Sequence, residues 1–191
     1  GFYYYSGSQW HPLTPPATVS AGSIIPFASG TPVALTTVLG GLTGTGAAVG
    51  FGSNTQINNM LPGGLIDLSY ENTNTAFVIP RSGTLTSISG FFSTTAAVSL
   101  VGSTVSITGQ LYQSMTPEGN QFIPIPGAQV ILSPGLSGVV SVGQTITGTV
   151  TGLAIPIVQG TRLMMVYTMT LDGIPVATAV TGTISGGINI Q

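Results

Sequence analysis

The sequence has no cysteine, no lysine and very little charge of either sign. Two arginines and four acidic residues are its only formally charged side chains among 191 residues. Without cysteine, the chain has neither disulfides nor thiolate metal sites. Two arginines are too few to neutralise a run of phosphates, so nucleic acid is excluded as a partner. No apolar run reaches the roughly 18–20 residues of a membrane-spanning helix, and we expect no membrane partner.

The residues that are present are mostly small, polar without charge, or apolar. Hydrophobic residues make up 42% of the chain and charged residues only 3%, whereas about a quarter charged is typical. This balance is the opposite of that in a disordered chain. A surface with so little charge favours association, so we expect it either to be covered by other subunits or to carry Ser, Thr, Asn and Gln. With so few titrating groups, stability is expected to depend weakly on pH and salt.

The first 20 residues differ from the rest, and we expect a leader at 1–20 and a head domain at 21–191. Five of the fourteen aromatic residues lie in this leader. The sequence Ser6-Gly7-Ser8 between aromatic runs indicates a turn and predicts a small hairpin. The prolines at 12, 15 and 16 predict an extended spacer behind the hairpin.

The aromatic side chains of the leader need a partner, because exposed together they form a large apolar patch. Two interpretations are open. The rings fold back onto their own domain, or they dock into another copy of the chain, as aromatic anchors do at interfaces. A head-to-tail contact of the second kind propagates into a fibre. The predicted docking residues are Phe2, Tyr3, Tyr4, Tyr5, Trp10 and His11.

The head domain contains about ten short runs of strand character separated by turn signals, which predicts an all-β antiparallel sandwich or jelly roll. The last run, Val176 to Gln191, alternates apolar even positions with small polar odd positions and predicts one long strand. On its apolar face Gly182 and Gly186 are predicted to leave notches that bulky side chains fill.

A second long run, Thr161–Leu171, is apolar on both faces and is expected to be buried on both sides. The sandwich core covers one face, and a neighbouring subunit is one candidate cover for the other. The Asp172-Gly173 pair that follows is a strong signal for a hairpin into the closing strand.

Three other segments have weaker patterns. Thr31-Pro32 can open a helix, so a helical turn or two is predicted at Val33–Leu39, against its β-branched content. The glycine-rich segment 44–50 looks like a nucleotide-binding loop, but it lacks the lysine and the βαβ context, so a flexible turn or bulge is expected. Residues 54–64 are expected to be a loop.

Several segments after residue 21 closely resemble the C-terminal domain of BclB-type exosporium glycoproteins, which are spore-surface proteins of Bacillus and related spore formers. The similarity covers roughly nine-tenths of the chain and rests on the following segments: IIPFASGTPVAL, GFGSN, GGLIDL, IPRSGTLTSISGFFSTTAAVSLVGSTVSITGQLYQS, IPGAQVILSPGLSG, GTVTGLAIPI and GTRLMMVYT. The resemblance implies a jelly roll similar to the complement C1q and tumour-necrosis-factor heads, assembled as a homotrimer. Heads of that family usually follow a collagen-like Gly-X-Y stalk, and this sequence has no such repeat.

Signals for chemistry are few. His11 is the only histidine and has no second histidine or cysteine to share a metal, so we expect a packed or exposed aromatic rather than a base or ligand. Asp67 and Glu71 either meet a calcium ion on a three-fold axis or are simple turn carboxylates. No cofactor and no enzymatic activity are expected.

Together these patterns favour a structural subunit of the spore surface, in the exosporium or in an appendage. Its expected partners are further copies of itself and other spore-surface proteins. A ligand- or glycan-binding adhesin head on a fibre is the alternative.

Overall fold

A computed structural model describes residues 3–12, 22–58, 60–69, 74–174 and 177–191. Over these ranges the chain is almost entirely β-structure, and no helix there is long and apolar enough to cross a membrane. The one helical element within these ranges is a 3-10 turn at Pro62–Gly64. The strands, numbered along the chain, are β1 Tyr3–Tyr5, β2 Trp10–Pro12, β3 Ser23–Ala28, β4 Val33–Thr36, β5 Gly46–Val49, β6 Asn54–Ile57, β7 Ile66–Asp67, β8 Phe77–Val78, β9 Gly83–Thr94, β10 Val98–Ser114, β11 Gln121–Ile131, β12 Leu136–Val140, β13 Thr145–Ile157, β14 Arg162–Gly173 and β15 Ala179–Ile190.

Two antiparallel sheets pack face to face. The eight-stranded sheet has the order β6-β5-β14-β10-β11-β7, with β12 on β10 and β8 on β14; the five-stranded sheet has the order β13-β9-β15-β3, with β4 on β15. Alternate residues of facing strands, such as Ile107, Met165 and Ile184, meet in one continuous apolar core, as the period of two in their sequences dictates. The predicted all-β antiparallel sandwich is confirmed, and its architecture is consistent with a jelly roll.

The closing strand β15 lies inside the five-stranded sheet, paired with β9 on one side and with β3 and β4 on the other. Its even positions face the core, where Val180, Ile184 and Ile188 are buried. The alternation read from the sequence is therefore confirmed. A Cβ on Gly182 would collide with the Phe92 ring and the Ser93 carbonyl, so this notch is filled as predicted.

The other notch, at Gly186, holds the side chain of Tyr167, which crosses the sandwich from β14. Tyr167 is fully buried, and its hydroxyl donates a hydrogen bond to the Ser185 carbonyl at 3.2 Å. Three glycines make room for it: an added Cβ would lie 2.5 Å from the Tyr167 Oη at Gly186, 3.0 Å from Oη at Gly90 and 2.8 Å from the ring at Gly109. Glycines on three strands of both sheets thus form a socket for one tyrosine.

Strand β14 is buried on both faces, as expected, but the chain itself supplies the second cover. Met164 and Val166 point away from the core and pack in a separate cluster with Ile57, Ile66 and Phe122. Ile57 and Ile66 lie on the segment from β6 to β7, which folds over the outside of the eight-stranded sheet. A neighbouring subunit is therefore not what covers this part of β14.

The hairpin predicted at Asp172-Gly173 is wrong. Strand β14 ends at Gly173, but β15 belongs to the other sheet, so the chain crosses between the two layers here. Both edges of β14 are already occupied by β10 on one side and by β5 and β8 on the other. Because neither edge of β14 is free, the segment that follows Gly173 cannot pair with it as a hairpin, even though Asp172-Gly173 is a strong turn signal.

Three short segments also differ from expectation. Val33–Thr36 is strand β4 rather than a helical turn, in keeping with its β-branched content. The glycine-rich segment 44–50 contains β5, whose Ala47, Ala48 and Val49 are fully buried, so it is neither a flexible turn nor a bulge. Part of the segment expected as a loop is strand β6, which pairs with β5.

Candidate functional site

The leader forms the predicted hairpin over the residues that the structure describes. Strands β1 and β2 pair antiparallel, with Tyr4 opposite His11 and Tyr5 opposite Trp10. The turn closes where the Ser6 N–H donates to the Gln9 carbonyl at 3.0 Å. Gly7 in this turn has φ of +91°, a conformation that glycine adopts without strain. We call Tyr3–Pro12 the aromatic hairpin.

The hairpin carries aromatic rings on both faces. Cross-strand pairs share a face and successive residues alternate, so Tyr5 and Trp10 lie on one face and Tyr4 and His11 on the other. The ring centroids of Tyr5 and Trp10 are 5.2 Å apart, and those of Tyr4 and His11 are 5.3 Å apart and stacked. No residue in the described part of the chain covers either face: Tyr3, Tyr4, Tyr5 and Trp10 are each more than half exposed, Trp10 at 67%.

His11 has a local role in the hairpin. Its Nε2 lies 3.1 Å from the Ser6 Oγ, and the same hydroxyl donates to the Gln9 carbonyl at 3.1 Å. The imidazole therefore links strand β2 to the turn while its ring stacks on Tyr4. Phe2, the remaining predicted docking residue, lies outside the described residues.

The sandwich has two poles, and strands β14 and β15 run between them. At one pole Ser23 pairs with Ile190, and Phe77 pairs with Leu163 near the start of β14. At the other pole the Leu171 N–H donates to the Gly41 carbonyl at 2.9 Å. The first is the near pole, where the segment behind the hairpin joins the sandwich, and the second is the far pole.

The far pole exposes apolar side chains from three separate segments, two of which lie outside strands and one of which is the start of β10. These residues, the far-pole patch, are Val38 at 47% exposure, Leu39 at 78%, Leu42 at 67%, Val101 at 70% and Ile174 at 54%. Leu39 and Leu42 flank a tight Gly-Gly turn with φ of +95° and +75°. The Val38 N–H donates to the Leu42 carbonyl at 2.9 Å. A hydrogen-bonded turn thus holds leucines toward solvent.

The near pole has a different character, an apolar pocket of about 300 Å³ at the open edge of the sandwich, lined by Ser23, Ile25, Phe51, Phe77, Ile79, Pro80, Arg81 and Ile190. Phe51 is 59% exposed and packs against Phe77 with ring centroids 5.7 Å apart. Strand β3, at the edge of the five-stranded sheet, forms one wall. Pro26 in this strand removes a backbone donor, which limits pairing by a further strand.

Charge is distributed unevenly between the poles. Four of the five charged side chains that the structure describes lie near the near pole: Asp67, Arg81, Glu118 and Arg162. Asp172 alone lies at the far pole, at the end of β14. Among the described residues, the far pole therefore carries fewer charged side chains than the near pole.

The carboxylates show no geometry for a cation in the part of the chain that is described. Asp67 accepts a hydrogen bond from the Ser69 N–H at 2.9 Å and from the Gln121 amide at 3.0 Å. The hydrogen bonds from Ser69 and Gln121 hold the pKa of the Asp67 carboxyl below its usual value. Asp67 is therefore a turn carboxylate, the second of the two alternatives that the sequence left open. Its proposed calcium partner Glu71 lies outside the described residues, and no group of three metal-ligating side chains occurs among those described.

Among the described residues, Arg162 is held by neutral partners rather than by a carboxylate. Its guanidinium donates to the Gly119 carbonyl at 2.8 Å and to the Asn120 side chain at 2.9 Å. It also lies 5.2 Å from the centre of the Phe122 ring, within the range of a cation–π contact. Arg162 therefore fixes the loop between β10 and β11, which is a structural role.

Sequence reasoning found the hairpin and missed the far-pole patch. The five patch residues come from three segments that are distant in the sequence, so no local pattern unites them. One signal was available: Leu39-Gly40-Gly41-Leu42 places two leucines around a tight turn, and residues that flank such a turn at a surface do not reach a core.

The fold defines an antiparallel β-sandwich that carries an aromatic hairpin. No family model matches the chain. The chain is similar to Collagen-like protein 1 of Acanthamoeba polyphaga mimivirus, with 35% identity over 181 residues. The similarity covers 90% of this chain and 19% of the relative, so the chain spans about a fifth of the length of the curated relative that it matches. The sandwich is thus similar to one segment of a collagen-like protein.

Proposed function

We propose that this chain is a structural, non-enzymatic subunit of the bacterial spore surface that assembles into a homotrimer and then, through its aromatic hairpin, into a fibre. The similarity to a collagen-like protein and the resemblance to exosporium heads support a structural surface role. An extracellular place in the exosporium or a spore appendage follows from the same resemblance, with itself and other spore-surface proteins as partners.

The observation that carries the proposal is the exposure of aromatic rings on both faces of the hairpin. An isolated two-stranded hairpin is marginally stable in water, and each cross-strand ring pair contributes only about 0.2–1 kcal/mol to it. A hairpin that docks into another subunit buries these rings and gains stability from the contact. The low charge of the chain removes the repulsion that would oppose such association.

Deleting residues 2–13 tests this function directly. We expect negative-stain images of the full chain to show fibres, and images of the deletion variant to show only separate particles of the size of the head trimer. The matched control changes the hairpin turn without touching the rings, as Ser8→Ala with Gln9→Ala, and is expected to form fibres. Fibres of unchanged form from the deletion variant would disprove the proposal.

The adhesin alternative has less support from the described surface. A sugar site usually combines an aromatic platform with convergent polar groups, whereas the near-pole pocket is lined by apolar residues with Ser23 and Arg81 as its polar members. Specific, saturable binding of the trimer on a glycan array would reverse this preference.

A further inference from the structure

We infer that the far-pole patch is the surface that receives the aromatic hairpin of a second copy of this chain. The inference rests on the proposed function, since it supplies the missing half of the fibre contact. It assigns a docking role to Val38, Leu39, Leu42, Val101 and Ile174, in addition to the hairpin residues.

The first argument is direction. The chain enters the sandwich at Ser23 on the near pole, and β14 ends beside the patch on the far pole. A contact between a segment attached at one pole and a surface at the opposite pole repeats by translation, so it propagates without closing. Docking at the near pole instead brings two near poles together and ends after one contact.

The second argument is reach. Ten residue steps separate Pro12 from Gly22, which span at most about 35 Å when fully extended. Strand β14 has 12 residues and therefore extends about 36 Å between the poles. A hairpin thus reaches its own far pole only with a completely straight connection along the shortest path. The far pole of a copy stacked end-on lies within easy reach.

The third argument is chemical match. The aromatic hairpin contains no aspartate, glutamate, lysine or arginine. The far-pole patch is apolar and has Asp172 as its only described neighbour with charge, whereas four charged side chains lie toward the near pole. Apolar rings bury most favourably where the fewest charges lose water.

The fourth argument concerns the patch itself. Exposed apolar side chains that are grouped at one end of a soluble protein indicate an interaction surface. Here they are presented on ordered structure: Gly41 packs against the Leu171 backbone, and the Ser103 hydroxyl donates to the Ile174 carbonyl at 3.3 Å. Val101 and Ile174 lie next to a shallow concavity of about 240 Å³. A partly preformed surface loses little entropy on binding.

The size of the contact explains why a trimer matters. Four rings of about 150–250 Å² each, somewhat more than half exposed, offer roughly 350–600 Å² per hairpin. A standard interface buries about 800 Å² per partner, so one hairpin makes a weak contact. Three hairpins that dock together on one trimer strengthen each other through effective concentration.

The test uses Trp10 as its own reporter, because it is the only tryptophan in the chain. The variant Leu39→Asp with Val101→Asp removes the patch and leaves the hairpin intact. We expect it to form no fibres and to show Trp10 emission at the longer wavelength of a solvated indole. The matched control is Ile131→Asp, since Ile131 is 60% exposed at the end of β11, opposite Thr108 and away from both poles. It is expected to form fibres with blue-shifted emission.

A mixing experiment then tests whether the hairpin of one variant docks on the far-pole patch of another. The variant Tyr5→Ala with Trp10→Ala has an intact patch and no tryptophan, and the patch variant has an intact hairpin. Neither is expected to elongate alone, but mixing them gives a single junction, seen as a blue shift of Trp10 emission and a particle of twice the mass.

Three outcomes overturn the inference. The patch variant forms fibres as the control does, the mixture shows no shift, or Phe51→Ser at the near-pole pocket blocks docking while the patch variant does not. Each leaves the proposed function standing as long as the 2–13 deletion abolishes fibres. If the deletion variant still forms fibres, the proposed function itself fails.

Discussion

Tyr167 and the tyrosines of the aromatic hairpin are the same residue in opposite surroundings. Tyr167 has no exposed surface and lies among three glycines from three strands, whereas Tyr3, Tyr4 and Tyr5 are each more than half exposed. The sandwich contains a socket for the Tyr167 ring. The described residues form no such socket for the rings of Tyr3, Tyr4 and Tyr5. An aromatic side chain with a socket in its own chain stabilises the fold, and one without a socket is available for assembly.

The largest expected effect comes from removing the ring that has a socket. Tyr167→Ala empties the centre of the sandwich and is expected to lower the free energy of unfolding by about 3–5 kcal/mol. The matched change Tyr4→Ala removes an exposed ring of the hairpin and is expected to change it by less than about 0.5 kcal/mol. Urea denaturation followed by far-UV circular dichroism measures both. Similar losses for the two variants would show that the hairpin is part of the folded core.

The socket can also be tested by adding a methyl group on β15. Gly186 borders the socket, and the adjacent Gly187 provides the matched control. Gly186→Ala puts a methyl group 2.5 Å from the Tyr167 Oη and 2.8 Å from the Ser89 carbonyl, so overpacking is expected to cost about 1–3 kcal/mol. In Gly187→Ala the nearest atom is the Ile25 carbonyl at 3.6 Å. There we expect no loss and a gain of up to about 1 kcal/mol, because alanine restricts the unfolded chain. The same denaturation curves give both values, and equal stability of the two variants contradicts the socket.

The period-two patterns predicted the parts of the fold that depend on one strand at a time. The alternation of the closing strand, its two notches, the double burial of β14 and the hairpin turn at Ser6-Gly7-Ser8 all depend on side chains close in sequence. Such local rules are strong because a one-residue slip would expose every buried side chain of the strand. The identity of the residue in the notch at Gly186 was not predictable, since Tyr167 lies in the other sheet.

Features that depend on competition between distant segments were not predictable. The Asp172-Gly173 turn signal is local, but whether β14 has a free edge depends on β5, β8 and β10. The small residues of β5 have low intrinsic preference for strands and are held there by packing against β14. The far-pole patch is defined only when the turn at 38–42, the start of β10 at 101 and the segment just after β14 at 174 lie at the same pole.

The last contrast between the two groups of tyrosines is in their response to alkaline pH. Burial raises the pKa of the Tyr167 hydroxyl far above its ordinary value near 10. Below pH 10 the hydroxyl is protonated in the folded and unfolded states, and its contribution to stability is fully present. Above pH 10 the unfolded chain loses this proton first, so stability falls by about 1.4 kcal/mol per pH unit from this group.

Tyr167→Phe isolates that contribution, because it keeps the ring and removes the titrating group. Burial also raises the pKa of Tyr112, so both proteins lose some stability above pH 10, and the difference between them reports Tyr167. We expect the variant to be less stable at pH 9, by about 0.5–1.5 kcal/mol for the lost hydrogen bond to Ser185. Urea denaturation at pH 9 and pH 11 should show a shallower decline for the variant. Parallel declines would mean that the hydroxyl of Tyr167 contacts water in the folded state. Tyr167 would then not differ from the exposed tyrosines of the hairpin in its pKa.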